Sequence, residues 1–443
     1  MIDHCNRWLL GFAAAYLALL PTNTATFAHS LAYGGAIVFA LCAFGLTERY
    51  EATRVPRPGW SIGITLLAWS AWSLASLAWS IDPGYSETQL EREVGDSLVV
   101  MFVFYVAARD ARSFRVLAAA ALAGLAVLAA VAIGTQLFTG DWDAGRWHYG
   151  VGPWSTWTVL VAPLLFALIA PRPAGFGTRR RSVVIGLVIV AMMVVTDRMT
   201  DNRIVWVALA GVFGVASLAA ALRWPQTLVR TPLRWIGPFA ALLIVLGIAF
   251  ADALHERAAA ESPRASVTDS IESDPRIVLW ERVRDKIEAR PWTGYGFGRR
   301  VLAGELSKEL GDPLLAHAHN IFASQWLQTG LIGMTAFTAL LLALIVRFAR
   351  FLRSRDDTLA FVGMVGLALI AGFVIKNLTD DFLFRSNAKE FWALSAMLLG
   401  YGVRRARTFA AGETPTPAST VVQEPVETPR TTAAKANAEL VDH

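Results

Sequence analysis

Long uninterrupted apolar blocks constrain this chain more than any other feature. "GWSIGITLLAWSAWSLASLAWS", "VLAAAALAGLAVLAAVAIGTQLF" and "GMTAFTALLLALIV" are long enough, or nearly so, to cross about 30 Å of hydrocarbon as helices. In lipid every backbone N–H and C=O must be satisfied within the element, which a helix does by itself. The ten-residue alternation of a membrane β-barrel is absent. Of the 443 residues 55% are hydrophobic and only 17% are charged, too few to cover a soluble body of this size. The expected fold is therefore all-α, a polytopic membrane protein with about 12 spans. They fall at roughly 8–25, 29–47, 60–80, 96–108, 114–137, 155–171, 183–196, 203–222, 235–252, 320–346, 358–375 and 388–403. The fourth and seventh are short enough to be tilted or buried helices. The first block lacks a clear small-residue cleavage site and is read as a retained helix.

The net charge of +5 could suggest nucleic acid, but its distribution argues otherwise. Arginines cluster in every second loop, for example Arg49, Arg54 and Arg57, then Arg109, Arg112 and Arg115, then Arg347, Arg350, Arg353 and Arg355. That alternation is a topology signal, and the positive-inside rule puts these loops and both termini in the cytoplasm. Cys5 and Cys42, one before the first span and one inside the second, imply neither a disulfide nor a metal site.

Residues 1–407 read as a transmembrane body and 408–443, rich in Thr, Pro, Ala and Glu, as a disordered cytoplasmic tail. The loops on the other side include an acidic one at 81–95, an aromatic one at 139–155, and one from about 253 to 318. The last is too long and too patterned for a bare connector. It contains "SDPRIVLWERVRDKIEARP", an amphipathic helix with Asp274 as cap and Pro275 in the first turn. Arg276, Trp280, Val283 and Ile287 share one face, which suggests a helix lying along the bilayer with Trp280 at the interface. Arg276 on that stripe either snorkels to headgroups or holds an anion. "PWTGYGFG" follows a helix, where a dinucleotide site would need a strand, so it reads as a turn.

Next, "LAHAHNIFASQWLQTGLIGMTAF" places His317 and His319 where the loop meets a span. Asn320 suits the N-cap, and the positive end of the helix dipole favours a neutral imidazole that can accept a proton. Gly330 and Gly333 read as helix-packing glycines. A His-x-His pair can bind zinc, but no third ligand stands out, so no metal is expected.

These residues resemble the O-antigen ligase family, with its relatives the O-antigen polymerases and O-linked oligosaccharyltransferases. The family signature is His, then Asn, Ser or Gln, nine residues, then Gly-x-x-Gly. Here it is met by His319, Asn320, Gly330 and Gly333. "PRIVLWERVRDKIEARPWTGYGFG" is similar to the family's Arg-x-x-x-Trp helix and its Pro-x-x-Gly-x-Gly-x-Gly turn, with Arg276, Trp280, Pro291, Gly294, Gly296 and Gly298 in step. "TDNRIVWVAL" resembles a Ser-Arg segment, with Asn202 for Ser and Arg203 kept. "GRWHYGVGPWSTW" resembles an Arg-x-x-Gly stretch, with Gly150 one residue late after Arg146. "KNLTDDFLFRSNAKEFW" also has the family's look, and the likeness covers roughly residues 140–400.

The resemblance implies a GT-C-like catalytic domain in the inner membrane of a Gram-negative bacterium, with its site on the periplasmic face. It implies transfer of a polysaccharide from an undecaprenyl diphosphate-linked O-antigen donor to a sugar hydroxyl of lipid A–core, with inversion and without cofactor. On this reading Arg203, Arg276 and Arg146 clamp the departing diphosphate. His319 acts on the acceptor hydroxyl. His317, Asn320, Trp280, Lys376, Asp380 and Asp381 support the site or position the acceptor. Membrane lipids are the other partner and nucleic acid is not one. Polymerase and O-linked oligosaccharyltransferase differ only in acceptor. A lipid-linked-sugar transporter is the less favoured reading, because the halves show no repeat.

Overall fold

The computed structural model describes residues 1–49, 54–140, 142–169, 180–226, 247–248, 251–252, 255, 275–311 and 315–412, without the side chains of Pro275 and Arg276. Among the described residues all regular structure is helical. The chain runs through α1 (Ile2–Leu19), α2 (Thr26–Glu48), α3 (Trp60–Ala75), α4 (Pro83–Gln89), a π-turn (Leu90–Gly95), α5 (Asp96–Ala107) and α6 (Ala111–Thr139). After the short α7 (Ala144–Trp147) come α8 (Val151–Val161), α9 (Phe166–Ile169), α10 (Arg180–Met199) and α11 (Ile204–Arg223). The last five are α12 (Pro275–Ala289), α13 (Ala303–Leu310), α14 (Ile321–Leu352), α15 (Asp357–Lys376) and α16 (Arg385–Ala410).

Eight of these segments are long and apolar enough to cross a membrane. The expected ninth span, 235–252, and the expected disordered tail fall almost wholly outside the described residues. Of the other expected spans, the helix of the first is Ile2–Leu19, earlier than 8–25, and opens with Asp3, His4, Asn6 and Arg7. The fourth is α5, whose 12 residues rise only about 18 Å. The twelfth, α16, keeps Asn387 and Glu390 inside the bundle rather than offering apolar residues all round.

α14 packs on α3 and α15, and α15 on α11, around a core that includes Trp69, Trp154, Trp157, Trp392 and Phe337. One end of this bundle gathers arginine pairs: Arg223 with Asp357 at 2.9 Å and Arg405 with Asp356 at 2.5 Å. The opposite ends of α14, α15 and α16 carry the histidines, Lys376 and Arg385. The alternating loop charges of the sequence thus become two chemically distinct ends. α12 and α13 close over the second end with a small core of Leu279, Val283, Leu302, Leu306 and Leu327. The buried stripe of α12 is Leu279 and Val283 with Ile287 packed against them; Val283 and Ile287 lie on the expected face, and Trp280 is 38% exposed. The helix packs on α13 and α14.

Gly330 does not serve helix packing; it breaks α14, with φ 67° and ψ −175°. The carbonyls of Leu327, Gln328 and Thr329 then lose their intrahelical donors. The N–H of Tyr295 donates to Leu327 (2.8 Å), that of Gly296 to Gln328 (2.9 Å), and the Trp72 indole to Thr329 (2.8 Å). On the far side of the break, Leu331 N–H donates to Pro291 (2.8 Å). The glycine-rich turn is therefore the missing hydrogen-bond partner of a broken helix, as a dry interior demands. A Cβ on Gly330 would collide with the Trp292 carbonyl. Gly333 lies one turn on, close to Trp72 of α3, where a packing role fits.

Gly330→Ala is expected to lower stability by about 2–4 kcal/mol, through left-handed strain and the clash. Gly304→Ala, which meets open space in α13, should change it by less than about 0.5 kcal/mol. Thermal melts in detergent, followed by tryptophan fluorescence, compare the two; equal shifts would contradict the break.

Candidate active site at the histidine end

Two loops meet at this end, residues 315–320 before α14 and 377–384 between α15 and α16. Asn320 joins them. Its side-chain oxygen caps α14 by accepting from Phe322 N–H (3.0 Å) and Ala323 N–H (3.1 Å), and its amide donates to the Leu378 carbonyl (2.8 Å). Ile321 N–H adds a bond to the Asn377 carbonyl at 2.9 Å. From the other side the Trp280 indole donates to the carbonyl of Ala318, between the two histidines, at 2.9 Å. So held, His319 adopts φ 47°, a left-handed conformation uncommon for a side chain of its size.

His319 Nδ1 lies 3.4 Å from Asp380 Oδ1, and Lys376 Nζ lies 3.1 Å from Asp380 Oδ2. Burial works against the Asp380 carboxylate, but Lys376 and His319 together hold its pKa below the usual range. An ionised carboxylate can only accept, so His319 presents Nδ1–H to it and turns Nε2 away from Asp380. The 3.4 Å separation is long for a hydrogen bond, as is common before substrate binds. His317 stacks on His319 with ring centroids 3.8 Å apart. Burial first, then Arg299 and His319, push its pKa far down, so His317 is the imidazole kept neutral.

His317, His319 and Asp380 each offer a ligand atom within 4.8 Å of one another, so the pair has a third candidate ligand that the sequence hid. The field around them opposes a cation. Asp380 already holds Lys376, and Arg299 and Arg300 both act on His317. Such surroundings suit an anion better than a divalent metal.

Asp381, the next residue, is buried and points to different partners. Its carbonyl accepts from Arg299 and its carboxylate from the Ser324 hydroxyl. Burial raises its pKa against the pull of Arg299. Arg299 sits 3.6 Å from the centroid of Phe384 and 5.8 Å from that of Phe382. Glu93, in the π-turn, is within reach of the same charges. Burial, then Asp381, pushes it up to about 8. Sequence reading missed Arg299, Glu93 and Ser324. The only signals were "GRR" behind the glycine turn and an acidic loop at 81–95.

The arginines expected to clamp a diphosphate are placed less uniformly. Arg203 is half-buried at the start of α11, where Asn202 donates to the Ser155 hydroxyl at 2.9 Å. α8, which carries Ser155, also brings Gly152 against Phe382, and Phe382 lies 4.8 Å from Lys376 Nζ. Arg203 thus starts a helix that is tied through α8 to the Asp380 loop. Arg276 has its backbone in the first turn of α12, and its side chain lies outside the described residues. Arg146 is exposed on the short helix α7, which docks on the α1–α2 turn. There Asn23 N–H donates to the Trp147 carbonyl (3.2 Å) and its side-chain amide to the Gly145 carbonyl (2.8 Å).

Many apolar spans and a buried, cation-rich cluster at one end of the bundle make this a polytopic membrane protein with a polar site where the helices end. Residues 155–338 match the family model described as O-antigen ligase, and this part of the chain is an O-antigen ligase-family domain. No curated protein matches the chain. The family match spans Arg203, the glycine turn, His319 and Gly333 and stops before Lys376 and Asp380, which join the site only through the fold.

Glu93 gives a pH dependence of stability. Its folded pKa, about 8, lies above the ordinary 4.5, so the folded state holds a proton that the unfolded state has released. Its contribution therefore weakens as pH rises from about 4.5 to about 8 and stays flat above. Glu93→Gln should flatten this decline in melts taken from pH 5 to 8.5. An unchanged slope would show that Glu93 is ionised throughout.

Proposed function

We propose that the protein is an O-antigen ligase of the bacterial inner membrane. It moves a polysaccharide from undecaprenyl diphosphate to a sugar hydroxyl of lipid A–core on the periplasmic face, with inversion and without metal. The carrying observation is the Lys376–Asp380–His319 chain beside a cation-rich surface, which suits an imidazole that accepts a proton at Nε2. In this scheme the acceptor oxygen attacks the anomeric carbon from behind and its proton passes to His319 Nε2. The anomeric C–O bond breaks, and the electron pair leaves with the diphosphate. Arg203 and Arg276, with Arg146 as the third cation, meet the charge that develops there. Asp380 fixes the tautomer and Lys376 keeps Asp380 ionised. No nucleotide is needed, because the donor already carries a good leaving group. On this reading the transmembrane domain is 1–407, the histidine end is periplasmic, and the arginine end and both termini face the cytoplasm.

His319→Ala should abolish transfer while donor binding persists, since a base of this kind contributes about 10²–10⁴-fold. Asp380→Asn should keep the fold but favour the wrong tautomer and cost roughly 10²-fold or more in kcat. Assays in nanodiscs with lipid-linked donor and separate lipid A–core, free glycan and protein acceptors read both effects. Transfer only to glycan or to protein would replace the ligase reading by polymerase or O-linked oligosaccharyltransferase, and full activity of His319→Ala would end it.

A further inference from the structure

A second cationic group lies beside the histidines and outside the expected diphosphate clamp. Phe384 has the Arg299 guanidinium 3.6 Å from its ring centroid and that of Arg385 at 5.4 Å. Arg300, next in the chain, is exposed and places its backbone N–H 3.2 Å from the Tyr85 hydroxyl. Arg299, Arg300 and Arg385 make no ion pair with a carboxylate among the described residues. Of the acidic groups in the field of Arg299, Glu93 and Asp381 are buried and inclined to hold their protons, and the ionised Asp380 is paired with Lys376. This rim of the site therefore carries three guanidinium groups that no carboxylate among the described residues pairs with.

The backbone adds an independent observation. Arg385 sits at φ 51°, where glycine or asparagine would be cheap and arginine is strained. The other left-handed residues besides glycine are Tyr149, Asp201 and His319, and each is a site residue or lies within three positions of Arg146 or Arg203. Strain of this kind persists where a side chain must be presented in one direction. Arg385 also opens α16, a 26-residue helix whose first-turn N–H groups favour negative charge. In that turn the Ser386 hydroxyl is buried at 8% exposure and has no hydrogen-bond partner among the described residues.

We infer that Arg385, seated on the Phe384 ring that Arg299 also stacks on, and Arg300, next to Arg299 in the chain, form a second anion subsite that takes a phosphate or carboxylate borne by the acceptor saccharide. The assignment to the acceptor rests on the ligase reading and on position. Arg299 is tied to the carbonyl of Asp381, and Asp380, one residue earlier, orients the base that must meet the acceptor hydroxyl. An anion held at this rim sets its sugar beside His319, opposite in role to the donor clamp. Bilayer phospholipid offers the same phosphate chemistry, so the test separates the two sources.

The full-length protein in nanodiscs is assayed with one donor and with a phosphorylated acceptor and its phosphatase-treated form. Arg385→Gly and Arg300→Ala should each raise KM for the phosphorylated acceptor about tenfold, the loss of one charge-assisted contact. KM for the dephosphorylated acceptor and for donor should stay as in wild type, with kcat retained at saturation. Glycine suits the left-handed position, so Arg385→Gly should melt no lower than wild type, which removes misfolding as an explanation. Equal KM changes for both acceptors, or none, would overturn the subsite. So would a KM effect that follows the fraction of phosphatidylglycerol in the nanodisc rather than the acceptor phosphate. Binding of the free phosphorylated saccharide is measured without turnover. If wild type binds it in a phosphate-dependent, Arg385-dependent way yet transfers nothing, the ligase reading fails and the subsite stands. If binding ignores the phosphate, the subsite fails whatever the activity.

Discussion

Once Gly330 turns left-handed, three carbonyls of α14 need donors that the helix itself cannot supply. The turn from Pro291 to Gly298 supplies most of them, and Trp72 the rest. Much of the histidine end depends on that exchange. The turn carries α12 at one end and Arg299 at the other, so docking it in the break brings Trp280 to Ala318 and Arg299 to the Asp381 loop. An unsatisfied amide in a dry bundle costs several kcal/mol, so the break and the turn stabilise one another and neither is expected without the other.

On this frame the site is built as a balance of charge. Lys376, Arg299, Arg300 and Arg385 outweigh an Asp380 that is firmly ionised and the Glu93 and Asp381 that burial inclines to neutrality. An anion entering such a region meets fixed dipoles and guanidinium groups that need no rearrangement. The neutral His317 beside His319 fits the same picture. Two charged imidazoles with ring centroids 3.8 Å apart would repel strongly, which adds to the burial that keeps His317 uncharged.

Much of this was legible in the chain. Apolar length marked the membrane helices because hydrocarbon thickness sets a minimum run of residues, and the loop arginines marked one end of the bundle. The His319–Asn320–Gly330–Gly333 spacing and the glycine turn pointed to the family domain, and Asn320 was readable as a cap because local backbone chemistry requires one. The role of Gly330 was misread, since a glycine that packs and a glycine that breaks a helix look the same in a string. On α12 the expected Val283 and Ile287 do pack inward, whereas Trp280 counts as apolar in a pattern while its indole N–H seeks a carbonyl.

What sequence determined, then, was whatever depends on near neighbours: helix length, capping, charge alternation and motif spacing. Tertiary structure alone decided that Asp380 orients His319 across 61 positions, that Glu93 and Arg299 share a buried region, and that Arg385 flanks the ring Arg299 stacks on. The reason is physical. Coulomb energies and hydrogen bonds depend on separation in space and on local dielectric, and neither is set until distant helices close on each other and exclude water.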